Sequence, residues 1–235
     1  MKIKIFITSL LFIMIILSIF YSNSINNNRI KYINVGNILN DSLVFITKDS
    51  IISYLKTLNV VEDSMKTREI DLNKIESSIN EIKYIKTSNT YFGINSDLKI
   101  SIIERKPLVE INDKDVYLDF EGEIVPKSIL TKPESINFFG SIESSQYQKV
   151  ANLGQNIIYD DFFKNHFKYI FSDSSEIFIK PKKYNYTIEI GNLEMIENKL
   201  VNYKFFYATK LKGKDLEDIK TINLRYANQV IVQRK

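Results

Sequence analysis

His166 is the only histidine of the 235-residue chain, and the chain contains no cysteine. A Ser-His-Asp arrangement could therefore be built only around His166, and a zinc site with several histidine or cysteine ligands cannot be built at all. The nearest carboxylates, Asp160 and Asp161, do not share a helical face with His166. We interpret them as residues that cap the start of a short helix. The sequence offers little for catalysis, and we predict that the protein is not an enzyme.

Other residue types that carry chemistry lack the backbone setting that the chemistry requires. The segment Ser172–Ser175 has no Gly-x-Ser-x-Gly turn for a nucleophile, and the seven glycines form no phosphate-binding loop. A group of acidic residues could suggest calcium, but its spacing suits hairpin turns better than a calcium loop; the group is Asp113, Asp115, Asp119 and Glu121. We expect no metal, no cofactor and no small-molecule substrate.

The overall charge argues against a nucleic-acid partner. Thirty-two basic and 28 acidic residues give a formal net charge of +4, and neither sign forms a long block. A nucleic-acid surface requires a clustered basic face. With 44% hydrophobic residues the chain can build ordinary cores, and without disulfides its stability must come from packing and sheet pairing.

An uncharged, mostly apolar run of 17 residues from Ile5 to Tyr21 follows Lys2 and Lys4. As a helix it covers about 26 Å, and a snorkelling Lys4 brings it to the thickness of a bilayer core. We predict a cytoplasmic stub and transmembrane helix over residues 1–22, with the basic N-terminus in the cytoplasm. The alternative is a cleaved signal peptide with a site near Ser22-Asn23-Ser24.

After a polar linker at 23–29, the chain predicts a β-α-α-β-β unit over residues 30–106. Thr47 and Asp71 each precede an apolar stripe at helical spacing, so they are expected N-caps of two helices. A strand is expected on either side of the turn Asn95-Ser96-Asp97, and the second, from Leu98, alternates with period two.

From residue 107 to 235 closely spaced strands predict a mostly antiparallel β domain with flanking helices. A meander is expected from Leu108 to Val125, a short helix near Asp160, and strands on either side of Pro181. Asn192 is the expected cap of a further helix, and two strands with a turn at Ala227-Asn228 complete the chain. Residues 131–173 give few clear signals. The fold class is therefore α+β.

Three sequence motifs resemble the FtsQ/DivIB family of cell-division proteins. The stretch from Leu72 to Pro107 resembles the family's POTRA unit. That unit ends in a charged residue followed by Arg-x-Pro, and the corresponding residues of this chain are Glu104-Arg105-Lys106-Pro107. The hairpin Tyr117-Leu118-Asp119-Phe120-Glu121-Gly122 is similar to the start of the family's β domain. The stretch Ile222–Val230 resembles the closing strand motif, with Asn223 where the family usually has Asp.

The resemblance implies a non-enzymatic, single-pass scaffold of the bacterial division septum. Its POTRA-like and β domains would lie outside the cytoplasm, anchored in the inner (plasma) membrane. It would bind small bitopic division proteins of the FtsB/FtsL type and help to control septal peptidoglycan synthesis. The alternative is an exported POTRA-bearing chaperone or secretion component, for which a following barrel or repeated POTRA units would be expected.

The resemblance also places the partner-binding site at the end of the β domain. An open sheet edge can accept an extended segment of another chain through backbone hydrogen bonds. In the family the partner adds a strand at this end, which implies the contact residues Tyr226, Asn228, Gln229, Val230, Ile231 and Val232.

Overall fold

The computed structural model describes residues 2–39, 42–62, 65–174, 176–211, 216–226 and 228–235. The chain forms two compact units, of which the first ends at Glu104 and the second begins at Arg105. Each unit has its own hydrophobic core.

The N-terminal helix α1 runs from Lys2 to Asn27 and contains the apolar run. Its side chains from Phe6 to Ser22 are all exposed. Among the described residues, no helix has both the length and the hydropathy that crossing a bilayer requires. The linker predicted from residue 23 is helical as far as Asn27, because each residue added to an existing helix gains a hydrogen bond and weak helix formers can extend it.

The rest of the first unit has the predicted order of one strand, two helices and two strands. These elements are β1 (Ile33–Asn37), α2 (Lys48–Thr57), α3 (Leu72–Asn80), β2 (Ile85–Phe92) and β3 (Leu98–Glu104). The strand order is β1-β3-β2, with β1 parallel to β3. Both predicted caps are confirmed, since Thr47 Oγ1 accepts the N–H of Ser50 at 3.1 Å and Asp71 Oδ1 that of Lys74 at 3.1 Å.

The second unit is built on one sheet of nine described strands. They are β4 (Pro107–Ile111), β5 (Val116–Asp119), β6 (Ile124–Pro126), β7 (Ile136–Phe139), β8 (Phe167–Asp173), β9 (Glu176–Pro181), β10 (Thr187–Gly191), β11 (Ile219–Asn223) and β12 (Ile231–Arg234). The spatial order is β12-β11-β10-β9-β8-β7-β4-β5-β6. Five of the eight described pairings are antiparallel, in agreement with the predicted mixed α+β fold.

Three helices accompany this sheet: α4 (Tyr147–Ile158), α5 (Asp161–His166) and α6 (Ile196–Phe206), which continues as a π-helical turn over Tyr207–Leu211. The first two connect β7 to the parallel strand β8. Sequence reasoning missed α4 and β8, which both lie in the segment 131–173, where the sequence has few clear signals. The chain leaves the helix at His166, and β8 pairs with both β7 and β9.

The predicted cap of α6 was wrong. The helix begins at Ile196 after Met195, whose φ is 53°, and not at Asn192. The Asn192 side chain is used elsewhere, since its Oδ1 accepts a hydrogen bond at 2.9 Å from Nζ of Lys199. Lys199 is only 2% exposed, and its Nζ also donates to the carbonyl oxygens of Ile190 and Asn192 at 3.0 and 2.8 Å. A buried ammonium that needs acceptors therefore overrides the local capping pattern.

Candidate functional site

The strand β12 forms one margin of the nine-stranded sheet, and its outer edge pairs with no other described strand. The opposite margin is β6, a three-residue strand that ends in Pro126. A short strand with proline is a typical way to block an edge, because proline has no N–H to donate. Proline is absent from β12, which therefore presents the better template for strand addition.

Two backbone hydrogen bonds, one directly after β12 and one directly after β11, determine which backbone groups of β12 point outward. Lys235 N donates to Asp218 O at 2.8 Å, so Lys235 faces β11. Leu224 N donates to Glu189 O at 2.8 Å, so Leu224 faces β10 and the preceding Asn223 faces β12. Backbone groups alternate along a strand, and Asn223 is opposite Ile231.

It follows that Ile231 and Gln233 direct their backbone N–H and C=O groups toward β11. The backbone groups of Val232 and Arg234 point away from the sheet. These two residues are the ones able to form ladder hydrogen bonds with an added strand.

The six residues implied by the resemblance lie together at this margin but have different roles. Tyr226 and Ile231 expose 63% and 46% of their surface. Asn228 and Gln229 are exposed, and Gln229 N donates to Tyr226 O at 3.1 Å across the turn. The half-buried Val230 and Val232 pack against the core. Only Val232 of this set directs ladder groups outward, and Ala227 within the turn lies outside the described residues.

A polar network that sequence reasoning missed holds the strand beside this edge. Asn223 Nδ2 donates to Glu189 Oε2 at 2.8 Å, and Asn223 Oδ1 accepts the N–H of Arg225 at 2.9 Å. The Arg225 guanidinium forms ion pairs with Glu176 and, at 3.6 Å, with Glu189. The closing strand motif usually has Asp at the position of Asn223. An Asp at 223 would place its carboxylate against that of Glu189, which is a physical reason for Asn in this chain.

The backbone of β10 leaves room for this network. Gly191 has a φ of +72°, and a Cβ there would lie 2.8 Å from Cγ of Arg225. A larger residue would be strained in its backbone and would displace the Arg225 side chain. The only hint in the sequence was the position of Gly191 directly after an apolar strand.

The acidic residues first considered for calcium binding have structural roles. Asp119 is 2% exposed and pairs with Arg105 Nη1 at 2.7 Å. Asp115 occupies a left-handed turn conformation with φ 55° and pairs with Lys127 at 2.7 Å. The described residues contain no group of His, Asp or Glu that could hold a metal ion.

His166 lies at the end of α5, within a cluster of aromatic side chains. Its ring stacks on Phe162 with centroids 4.9 Å apart, and Nε2 lies 2.6 Å from the hydroxyl of Tyr203. Burial, aided by the nearby positive charge of Lys183, lowers the pKa of His166 to about 4. Burial also raises the pKa of Tyr203. Both groups are therefore neutral at pH 7.

Asp160, one of the two carboxylates close to His166 in sequence, is used as a helix cap. Asp160 Oδ1 accepts the N–H groups of Phe162 and Phe163 at 2.9 and 3.3 Å, which confirms the capping prediction. Its other oxygen, Oδ2, pairs with Lys204 Nζ at 2.6 Å. The geometry around His166 is that of a packed aromatic core rather than of a catalytic site.

The comparisons with known proteins agree in part with the sequence resemblance. The model of the family described as FtsQ/DivIB, C-terminal related matches residues 106–233. No curated protein matches the sequence. The chain aligns with the solved major extracytoplasmic domain of the bacterial cell division protein DivIB from Geobacillus stearothermophilus, in its trans isomer. The TM-score is 0.34 with 10% identity, over 48% of this chain and 98% of that one.

Proposed function

Because the chain belongs to the FtsQ/DivIB, C-terminal related family, we propose that it is a non-enzymatic scaffold of the bacterial cell-division machinery. The family match covers the whole second unit except its first residue, Arg105, and its last two residues, Arg234 and Lys235. A scaffold acts through the partners that it holds in place. The proposal therefore depends on a surface that can bind another protein.

The unpaired outer edge of β12 is the observation that carries this proposal. Val232 and Arg234 offer backbone donors and acceptors, while Tyr226 and Ile231 offer exposed apolar surface beside them. An extended segment added here would gain ladder hydrogen bonds and would cover both side chains. We assign this edge to small bitopic division proteins of the FtsB/FtsL type, through which the scaffold would help to control septal peptidoglycan synthesis.

We further propose that α1 anchors the chain in the inner (plasma) membrane, with the POTRA-like and β domains outside the cytoplasm at the septum. The support comes from the uncharged run Ile5–Tyr21 beside two lysines, and from the exposure of the described apolar side chains of α1. Apolar side chains that no protein surface covers are stable in lipid.

The experiment that tests this function is co-purification of the full chain from detergent extracts of its own host. We expect small single-span proteins with an extended segment outside the membrane to co-purify. A matched chain that ends at Tyr226, and so lacks β12 but keeps Leu224 and Arg225, should lose them, with the first unit and the rest of the β domain still folded as judged by protease resistance. Equal recovery of the same proteins with both chains would refute the assignment of the edge.

A further inference from the structure

A second surface feature of the β domain lies away from the β12 edge. It is a cavity of about 190 Å³ between the start of β7, the end of α4, the end of α5 and the start of β8. Small-molecule pockets usually measure about 300–1,000 Å³, so this cavity has room for one charged group of a ligand rather than for a whole drug-sized molecule.

The cavity lining is positively charged. Lys164, Lys168 and Lys182 contribute three ammonium groups against the single carboxylate of Glu134, which gives a formal charge of +2. Glu134 lies 2.8 Å from Lys164 Nζ, so this carboxylate neutralises one of the three lysines. The charges of Lys168 and Lys182 are left without a carboxylate partner among the described residues.

Lys182 is held in a defined position at the rim of the cavity. Its Nζ donates to the carbonyl oxygen of Lys164 at 2.8 Å, at the C-terminal turn of α5. Its backbone N donates to His166 O at 2.8 Å, which fixes the start of the side chain. An ammonium has three N–H donors, so two remain for a ligand.

The three lysines reach the cavity from different elements. Lys164 belongs to α5, and Lys182 directly follows β9. Lys168 belongs to β8, where its Nζ lies 5.9 Å from the ring centroid of Tyr169. The positive charges thus come from α5, from β8 and from the turn after β9.

We infer that this cavity, which we call the lysine cavity, binds a phosphate group. A phosphate presents oxygens in several directions, and Lys binds phosphate as a point charge from any of them. A planar carboxylate is best matched by the two-pronged guanidinium of arginine, and no arginine lines the lysine cavity. The ligand class is therefore a phosphate ester or free phosphate rather than an acidic peptide.

The test is a calorimetric titration of the full chain in a non-ionic detergent at constant ionic strength, with potassium chloride as the reference salt. Inorganic phosphate is one probe, and glycerophosphoglycerol, a lipid headgroup without acyl chains, is the other. We expect saturable binding of at least one probe. A preference for glycerophosphoglycerol indicates a headgroup or another diester, and a preference for inorganic phosphate indicates the free or terminal group.

The variant Lys168→Gln/Lys182→Gln should weaken that binding about tenfold or more, because each substitution removes a charge-assisted contact. The control Lys106→Gln/Lys220→Gln changes the net charge equally at two exposed lysines outside the cavity, and its affinity should equal that of the unaltered chain. Both pairs lie on the surface, so similar melting temperatures should exclude unfolding. No saturable binding of either probe, or equal losses in both variants, would overturn the inference.

Discussion

Arg105 Nη1 lies 2.7 Å from Asp119 Oδ2, and the other oxygen of this buried carboxylate accepts the N–H groups of Glu121 and Glu123 at 2.9 and 2.8 Å. Two of the three motifs that carry the family resemblance, the Arg-x-Pro junction and the Asp-x-x-Gly hairpin, therefore meet in space. Arg105 fixes the start of the β domain to the β5–β6 turn. These motif residues position the domain's first strands, which explains their types without a catalytic role.

The first prediction concerns this ion pair. Asp119→Ala would deprive the Arg105 guanidinium and two backbone N–H groups of their shared buried acceptor, and should lower the free energy of unfolding by about 3 kcal/mol. The control Glu121→Ala removes a half-exposed carboxylate 3.6 Å from the same guanidinium, and should cost at most about 0.5 kcal/mol. Urea denaturation of both variants measures the difference. Equal costs would show that burial does not matter at this pair.

The second prediction concerns the network beside the edge strand. Asn223→Asp would place two carboxylates opposite each other, at 223 and 189, and should destabilise the domain by about 1 kcal/mol at pH 7. Adding Glu189→Gln should restore most of that loss, because the amide can donate to the new carboxylate. Thermal denaturation of the single and double variants measures this. A double variant less stable than Asn223→Asp alone would contradict the account.

The third prediction uses the alternating direction of the backbone N–H and C=O groups along β12. Val232→Pro removes an outward N–H and should weaken partner binding about tenfold, with only the loss of stability that Val232→Ala also shows. Ile231→Pro instead removes an N–H directed at β11 and should lower the melting temperature of the domain. Partner affinity and melting temperature are measured for all three variants.

The two proline variants test opposite edges of β12. Ile231→Pro breaks a hydrogen bond within the sheet, whereas Val232→Pro leaves the pairing of β12 with β11 intact. If a folded Val232→Pro variant bound the partner with unchanged affinity, strand addition at β12 would be excluded.

The fourth prediction concerns pH. The pKa of His166 is about 4 in the folded protein and about 6.5 in the unfolded chain, so the unfolded chain binds the proton first as pH falls. The contribution of His166 to stability is complete above pH 6.5 and is lost as pH falls toward 4, with a slope of at most about 1.4 kcal/mol per unit. His166→Gln should remove this part of the pH dependence, as urea denaturation at several pH values would show.

His166→Ala serves as the functional companion of that measurement. Removal of the stacked imidazole ring leaves a cavity, so the variant should be less stable than the unaltered protein at every pH. Division should still proceed wherever the variant remains folded, because no reacting group adjoins the ring. A folded variant that fails to support division would revive a chemical role for His166.

The fifth prediction concerns topology. A reporter that is active only after export should work when fused after Lys235, because the proposed topology has Lys2 and Lys4 keep the N-terminus in the cytoplasm. Replacing both lysines by glutamate should reduce reporter activity by weakening the orientation signal. A mature protein that begins near Ile25, with no membrane-bound form, would contradict the anchor.

The sequence alone determined those features that depend on near neighbours in the chain. Thr47, Asp71 and Asp160 were identified as helix caps, because a capping side chain bonds to N–H groups only two or three residues later. Apolar alternation identified most strands, since one face of each is buried. The absence of cysteine and the single histidine limited the possible chemistry through composition alone.

Tertiary structure decided what depends on distant pairing. β8 pairs in parallel with β7, from which α4 and α5 separate it in the chain. His166 is neutral because aromatic residues of α5, α6 and the segment before β10 surround it. The outward direction of the Val232 backbone N–H and C=O groups follows from the register of β12 against β11. A change of one residue in register reverses which backbone groups and side chains face outward, and no local pattern specifies that register by itself.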